Sequence, residues 1–242
     1  ISVTGVQTCA LPISTHTINA AFTPEVTASI MKDFVPVSLL ATAPYYLLVH
    51  PSLPVKSVSE LIEYARARPG QLNYSTSGMG SPPHLAAEML KLMTKINLVH
   101  VPYKSSAAAT TDLLGGHVQL SFQYAPTAMP HVKSGRVRTL GVASLKRTQV
   151  APELPTIAES GLPGFEVLGW NGIHLPLATP RALVERISRD AQAMVKSPDV
   201  RERLLTVGMD ADGSTPEVFA AFVKRDLARM TQLIRETGIR PE

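Results

Sequence analysis

The sequence predicts an α/β protein. Short apolar runs alternate along the chain with amphipathic segments carrying clear helix start and stop signals. Most of the runs are continuously apolar, as strands covered on both faces are. With 45% hydrophobic and 17% charged residues over 242 positions, the chain can bury a real core, which excludes disorder and fits one large or two modest domains.

The first residues stand apart. Residues 1–31 hold no Lys or Arg, so the basic start of a secretory leader is not read there. The stretch Val3-Thr4-Gly5-Val6-Gln7-Thr8-Cys9-Ala10-Leu11-Pro12-Ile13 lacks periodicity and resembles a translated sequencing-library adapter. Residues 1–13 are therefore expected to be a leader foreign to the fold. Cys9 would then be spurious, and the natural N-terminus missing.

Strands are predicted at 34–42, 45–50, 72–75, 98–103, 118–124, 137–144 and 166–175, each bounded by Pro, Gly or Ser. Ser57-Val58-Ser59-Glu60 reads as a capping box for a helix that closes at Arg68-Pro69-Gly70. Ser81 before Pro82 caps a second helix, and residues 107–114 form a third, ended by Gly115-Gly116. Thr179-Pro180 opens a helix with Leu183, Val184, Ile187, Met194 and Val195 on one face. Thr215-Pro216-Glu217 opens a long helix striped by Phe219, Phe222, Val223, Leu227, Met230, Leu233 and Ile234, with Gly238 as its stop.

Several functional classes are excluded by what the chain lacks. The net charge of +4 is scattered in singles and pairs such as Lys146-Arg147, with no basic stripe interleaved with aromatic rings, so no nucleic-acid partner is expected. No apolar run reaches the roughly 18 residues of a membrane-spanning helix. One cysteine allows neither an internal disulfide nor a multi-cysteine metal site. There is no G-x-S-x-G elbow and no phosphate-binding loop ending in Lys-Ser/Thr. Gly78-Met79-Gly80 begins like a dinucleotide fingerprint, but Pro83 occupies the third glycine position. No two histidines form an H-E-x-x-H pair. The expectation is a protein without catalytic machinery, cofactor or metal.

One polar loop does stand out: Tyr74-Ser75-Thr76-Ser77-Gly78-Met79-Gly80-Ser81-Pro82-Pro83-His84. A strand ends in small hydroxyl residues, two glycines let the backbone approach a guest, and a helix begins, so unpaired N–H groups and a positive helix end converge. The same residues also read as a well-capped helix and nothing more. A second loop of the same build, Val101-Pro102-Tyr103-Lys104 followed by Ser105-Ser106, favours the binding reading: two such turns on one sheet edge can aim at a single carboxylate. Lys104 adds a charge there or is simply solvated.

At these residues the chain resembles a known family. Asp33-Phe34-x-Pro36-Val37-Ser38, His50-Pro51-Ser52, Pro69-Gly70-Gln71-Leu72-Asn73-Tyr74, His100-Val101-Pro102-Tyr103-Lys104, Asp112-Leu113-Leu114-Gly115-Gly116 and Pro155-Thr156-Ile157-Ala158-Glu159-Ser160-Gly161-Leu162-Pro163-Gly164 follow in family order. They resemble the extracytoplasmic solute receptors of tripartite tricarboxylate transporters over residues 14–242. The resemblance implies a type II-like two-lobed periplasmic binding protein: 46–167 as one lobe, 14–45 with 168–242 as the remnant of an incomplete first lobe, and crossovers near 44–46 and 167–170. It implies a periplasmic monomer that closes on a small organic carboxylate without chemistry and hands it to membrane permease subunits. A chain with an incomplete lobe is expected to bind weakly.

The resemblance also assigns residues. Ser14, Thr15 and His16 correspond to a polar loop of the first lobe. Ser75, Ser77, Gly78, Gly80, Ser81 and His84 correspond to the carboxylate loop of the second, and Tyr103, Ser105 and Ser106 to its neighbour. Trp170 lies near a crossover and reads either as a ligand shield or as core. Ser105 stands where glycine is usual, which is expected to constrain the turn. Gln123 stands where many relatives carry aspartate; a buried aspartate suits an ammonium and an amide does not, which implies an organic acid without an amino group. Two other readings stand beside the receptor: a ligand-sensing effector domain, which would need a helix-turn-helix not seen here, and an enzyme acting on organic acids.

Overall fold

A computed structural model describes residues 9–12, 18, 21–23 and 32–239. In chain order its elements are β1 (Cys9–Pro12), β2 (Phe34–Val49), α1 (Val58–Arg66), β3 (Asn73–Thr76), α2 (Pro82–Thr94), β4 (Val99–Pro102), α3 (Ser106–Leu114) and β5 (Leu120–Tyr124). They continue with α4 (Ala125–Lys133), β6 (Arg138–Val142), β7 (Leu168–Pro176), α5 (Arg181–Lys196), α6 (Pro198–Thr206), β8 (Asp210–Ala211) and α7 (Pro216–Thr237). The chain forms two compact units, Ile1–Thr42 with Gly169–Glu236 and Ala43–Leu168 with Thr237–Glu242.

The second unit is built on the sheet β6-β2-β5-β3-β4. Strands β3, β4 and β5 are parallel, each followed by a helix, whereas β2 runs antiparallel to β5 and β6. Strand alternation explains the core: Tyr45, Leu47 and Val49 of β2, Phe122 of β5 and Tyr74 of β3 share one face, under Leu61 of α1 and Leu90 of α2. Ser121 and Gln123 alternate to the opposite face, on which the Ser75 hydroxyl donates to the Ala109 carbonyl of α3 (3.3 Å). The capping box forms with a shift of one residue: Ser57 Oγ accepts from Glu60 N (3.1 Å), while Glu60 reaches back to Lys56 N (2.7 Å).

In the first unit β7 lies between β1 and β2, and β8 pairs with Ala41 and Thr42 of β2. Cys9 of β1 sits opposite His174, so part of the stretch expected as a foreign leader is a strand of this sheet. Trp170, Phe219, Val223 and Leu39 make the core. Helix α5 buries Val184, Ser188, Ala191 and Val195, while Met194, expected on the buried face, is 48% exposed.

Two predicted strands, 34–42 and 45–50, are one 16-residue strand. Pro44, which has no N–H to give, falls between the residues that pair with β8 and those that pair with β5. Helices α4 and α6 and the short β8 have no counterpart among the sequence expectations. Among the described residues, no helix is long and apolar enough to cross a membrane.

Candidate functional site

Because β5, β3 and β4 are parallel, the turns that follow them emerge at one edge of the second unit's sheet. Three helices start there: α2 after Ser81, α3 after Ser105 and α4 after Tyr124. None of the three has an acidic residue in its first turn, nor has α5, whereas α1, α6 and α7 carry Glu60, Asp199 and Glu217 in theirs. The positive ends of the helix dipoles at this edge are thus uncompensated by protein carboxylates, which suits an anionic guest.

The first turn is tied internally. Gly78 N–H donates to Thr76 Oγ1 (3.2 Å), and Gly78 O accepts from Ser81 Oγ (2.7 Å). Gly80 N–H donates to His84 Nδ1 (3.1 Å). Gly78 at φ +119° and Gly80 at φ +69° adopt backbone that L side chains rarely enter. The second turn leans on the first through Tyr103 N–H to Thr76 O (3.0 Å).

Donors remain after this accounting. Among the described residues the N–H groups of Ser77, Met79, His84 and Ser106 have no partner, nor have the hydroxyls of Ser77 and Ser106. Gln123, near the end of β5, is only 6% exposed, and neither its amide oxygen nor its nitrogen is hydrogen-bonded. A buried amide without partners is costly.

The sequence model of the tripartite tricarboxylate transporter family receptors, TctC, matches residues 6–239. The chain belongs to this family. It is 39% identical over 220 residues to a UPF0065 protein encoded in the tcbD-tcbE intergenic region of Pseudomonas sp. strain P51, covering 90% of this chain and 66% of that protein. It is 30% identical over 221 residues to BugT of Bordetella pertussis, covering 91% and 68%. The chain thus spans about two thirds of the length of these relatives. Among solved structures, Rpa4515 of R. palustris with adipate superposes with a TM-score of 0.82 at 34% identity, over 98% of this chain and 78% of that one. MatC of Rhodopseudomonas palustris with bound malate gives 0.75 at 29% identity, over 95% and 78%.

Within this TctC-family chain the residues expected at the site part into groups. Ser77, Gly78, Gly80, Ser81, Tyr103, Ser105, Ser106 and Gln123 lie in or beside the turns that follow β3, β4 and β5 at one sheet edge. Ser75 and His84 lie beneath it, at 0% and 3% exposure. The hydroxyl of Ser75 is committed to Ala109 O and the Nδ1 of His84 to Gly80. Trp170 corrects the shield reading: it is 1% exposed in the first unit's core, its indole N–H donating to Asp226 Oδ2 (3.1 Å) between Phe219 and Phe222. Ser14, Thr15 and His16 lie outside the described residues.

Two local expectations are also corrected. Ser81 does not cap α2 with its hydroxyl, which turns back to Gly78 O, and Pro82 and Pro83 remove two of the N–H groups a helix start would offer. The donors of this turn therefore come from Ser77 and Met79 more than from the helix. Ser105 has φ −156°, extended backbone open to any residue, so it does not constrain the turn; its hydroxyl caps α3 at Ala108 N (3.2 Å).

Tyr103 donates its hydroxyl to Asp112 Oδ2 (2.5 Å). Burial, with Asp112 adding to it, pushes its pKa up to about 12, so near neutrality it remains a phenol whose proton is already placed. Lys104 is exposed and makes no ion pair among the described residues.

The residues that the sequence reading passed over are Thr76 and His100. Thr76 Oγ1 lies 2.7 Å from His100 Nε2, and the His100 ring stacks on those of His84 (4.2 Å) and Tyr74 (4.9 Å), which also face each other at 6.4 Å. His84 and His100 are 16 positions apart on different elements, a pairing no local motif signals.

Proposed function

We propose that this chain is the solute receptor of a tripartite tricarboxylate-type transporter. It acts in the periplasm, captures a small organic carboxylate at the edge where β3, β4 and β5 end, and passes it to membrane permease subunits without altering it. The observation that carries this reading is a set of unpaired donors in the turns that open α2 and α3, beside the buried Gln123 amide, at helix starts free of first-turn acids. Serine hydroxyls and backbone N–H groups solvate a carboxylate as water does, but from fixed positions, so binding needs little reorganisation. The adipate and malate in the structures of related proteins belong to the same ligand class.

Gln123 offers an amide and no negative charge, which favours acids without an ammonium group. Titration calorimetry with adipate, malate, succinate, citrate, aspartate and glutamate tests both points. Saturable binding of at least one non-amino acid, tighter than aspartate and glutamate, is expected. Tighter binding of the two amino acids overturns the assignment of Gln123, and conversion of any acid to product overturns the receptor.

Replacing the same residue gives a paired signature. Gln123→Leu removes two unsatisfied buried polar atoms at similar volume, so the unliganded protein is expected to gain about 1 kcal/mol and to melt about 2–4 °C higher. Carboxylate affinity is expected to fall about tenfold, the loss of one good hydrogen bond. A lower melting temperature with unchanged affinity would make Gln123 a structural residue.

A further inference from the structure

Beneath the first turn lies a buried group of ionisable side chains that no ligand contact requires. His84 of α2 receives the Gly80 N–H on Nδ1 (3.1 Å), so that nitrogen carries a lone pair and, in the neutral ring, Nε2 carries the proton. Nε2 faces Glu88 Oε1 at 3.9 Å, beyond hydrogen-bond distance. Glu88 is already engaged: Tyr74 Oη donates to it (2.6 Å), as does Lys91 Nζ (2.6 Å). The His100 ring stacks on that of His84, with centroids 4.2 Å apart.

We propose that His84 is a positioning residue: its neutral imidazole holds the Gly80 amide, and protonation of Nδ1 unseats the turn and lowers carboxylate affinity. The inference rests on the receptor reading above, because it takes the Ser77–Ser81 turn to be the binding loop. Protonation would leave two donors, Gly80 N–H and Nδ1–H, facing each other with no acceptor between them. Gly80 adjoins Met79, whose N–H is unpaired, so a shift of the Gly80 peptide displaces a ligand donor directly.

Every charged or titratable neighbour bears on the balance. On α2 itself Glu88 favours the imidazolium and Lys91 opposes it. From β4 the His100 ring stacks on His84, and from β3 Tyr74 occupies Glu88 with its own proton. From β5 Leu120 and Phe122 are apolar, and Tyr124 at its end packs on Tyr45 instead. Burial lowers the His84 pKa below the ordinary histidine value; Glu88 counters and Lys91 reinforces it. The group is thus neutral near pH 7, and the switch operates as pH falls below the ordinary histidine range.

The test uses the whole chain. Without ligand, the Gly80 amide resonance and the His84 ring nitrogens are followed by NMR from about pH 7.5 down to about pH 5. They are expected to move with one shared midpoint. With adipate or malate as probe, affinity is expected to fall about tenfold through that midpoint. His84→Asn, whose carbonyl oxygen can stand in for Nδ1, is expected to bind more tightly than His84→Leu and to lack that step. The comparison also removes the ligand's own protonation, common to both proteins. Circular dichroism confirms that each variant is folded. A Gly80 resonance indifferent to the His84 titration, or a step that persists in His84→Asn, overturns the proposal. If neither acid binds at any pH, the receptor reading fails, and the ligand-free resonance still decides whether His84 holds the turn.

Discussion

Gly172→Ala is expected to lower the unfolding free energy by about 3 kcal/mol, the upper end of ordinary overpacking. A Cβ at this position of β7 would lie 2.3 Å from Phe219 Cζ and 2.7 and 3.1 Å from the two Cε atoms. Those distances demand movement, and the ring has nowhere to go. Phe219 is 0% exposed, with Trp170 edge-on at 5.5 Å and His174 at 4.9 Å. The strand cannot yield easily either, since Gly172 pairs with Leu11 of β1 while β2 lies on its other side. Urea unfolding of Gly172→Ala, Phe219→Leu and the double variant measures the coupling. The leucine lacks the ring atoms that clash, so the double variant should lose clearly less than the sum of the two single losses. A loss below about 1 kcal/mol in Gly172→Ala, or strict additivity, would mean that Phe219 does not close on this glycine.

The Gly172–Phe219 contact also shows where the sequence stopped being legible. The stripe on α7 and the strand holding Trp170 are both readable from spacing, but which ring meets which glycine depends on the register of two elements 47 positions apart. Asp226 is the clearest instance: in a helical pattern a carboxylate reads as solvent-facing, yet it is 4% exposed, because Trp170 Nε1–H and Arg229 (2.6 Å) satisfy it. Local punctuation fared better. The Ser57 capping box, the Gly115-Gly116 stop and the helix after Ser105 all follow from side chains within four residues of one another.

The site was legible in position and less so in detail. The two turns could be found because hydroxyl residues, glycines and a helix start coincide in sequence. Which hydroxyls face a ligand could not. A strand covered on both faces buries odd and even positions alike, so Ser75 and Ser77 look equivalent until α3 claims Ser75. The double proline after Ser81 was visible, but its consequence, a helix start short of donors, emerges only once every N–H in the turn is accounted for.

Gly78→Ala is expected to weaken carboxylate binding by about 10- to 100-fold while changing the unfolding free energy by less than about 1 kcal/mol. Space is not the obstacle: a Cβ at Gly78 would meet nothing closer than Tyr103 O at 3.8 Å. The cost is the dihedral, φ +119°, worth about 1–3 kcal/mol for an L side chain if the turn keeps its shape. The turn has an inexpensive way out, because Gly78 is half-buried beside exposed Met79, and relaxing it sacrifices mainly the bonds to Thr76 and Ser81. Relaxation protects the fold and displaces the N–H groups of Ser77 and Met79, so the strain should surface in affinity instead of stability. Gly164→Ala is the matched control: φ is +84° with open space around it, at a distance in sequence from any residue assigned to the site. There the strain should appear as lost stability with binding unchanged. If the two substitutions behave alike, costing stability and sparing affinity, the Ser77–Ser81 turn is scaffold, and the ligand is held elsewhere.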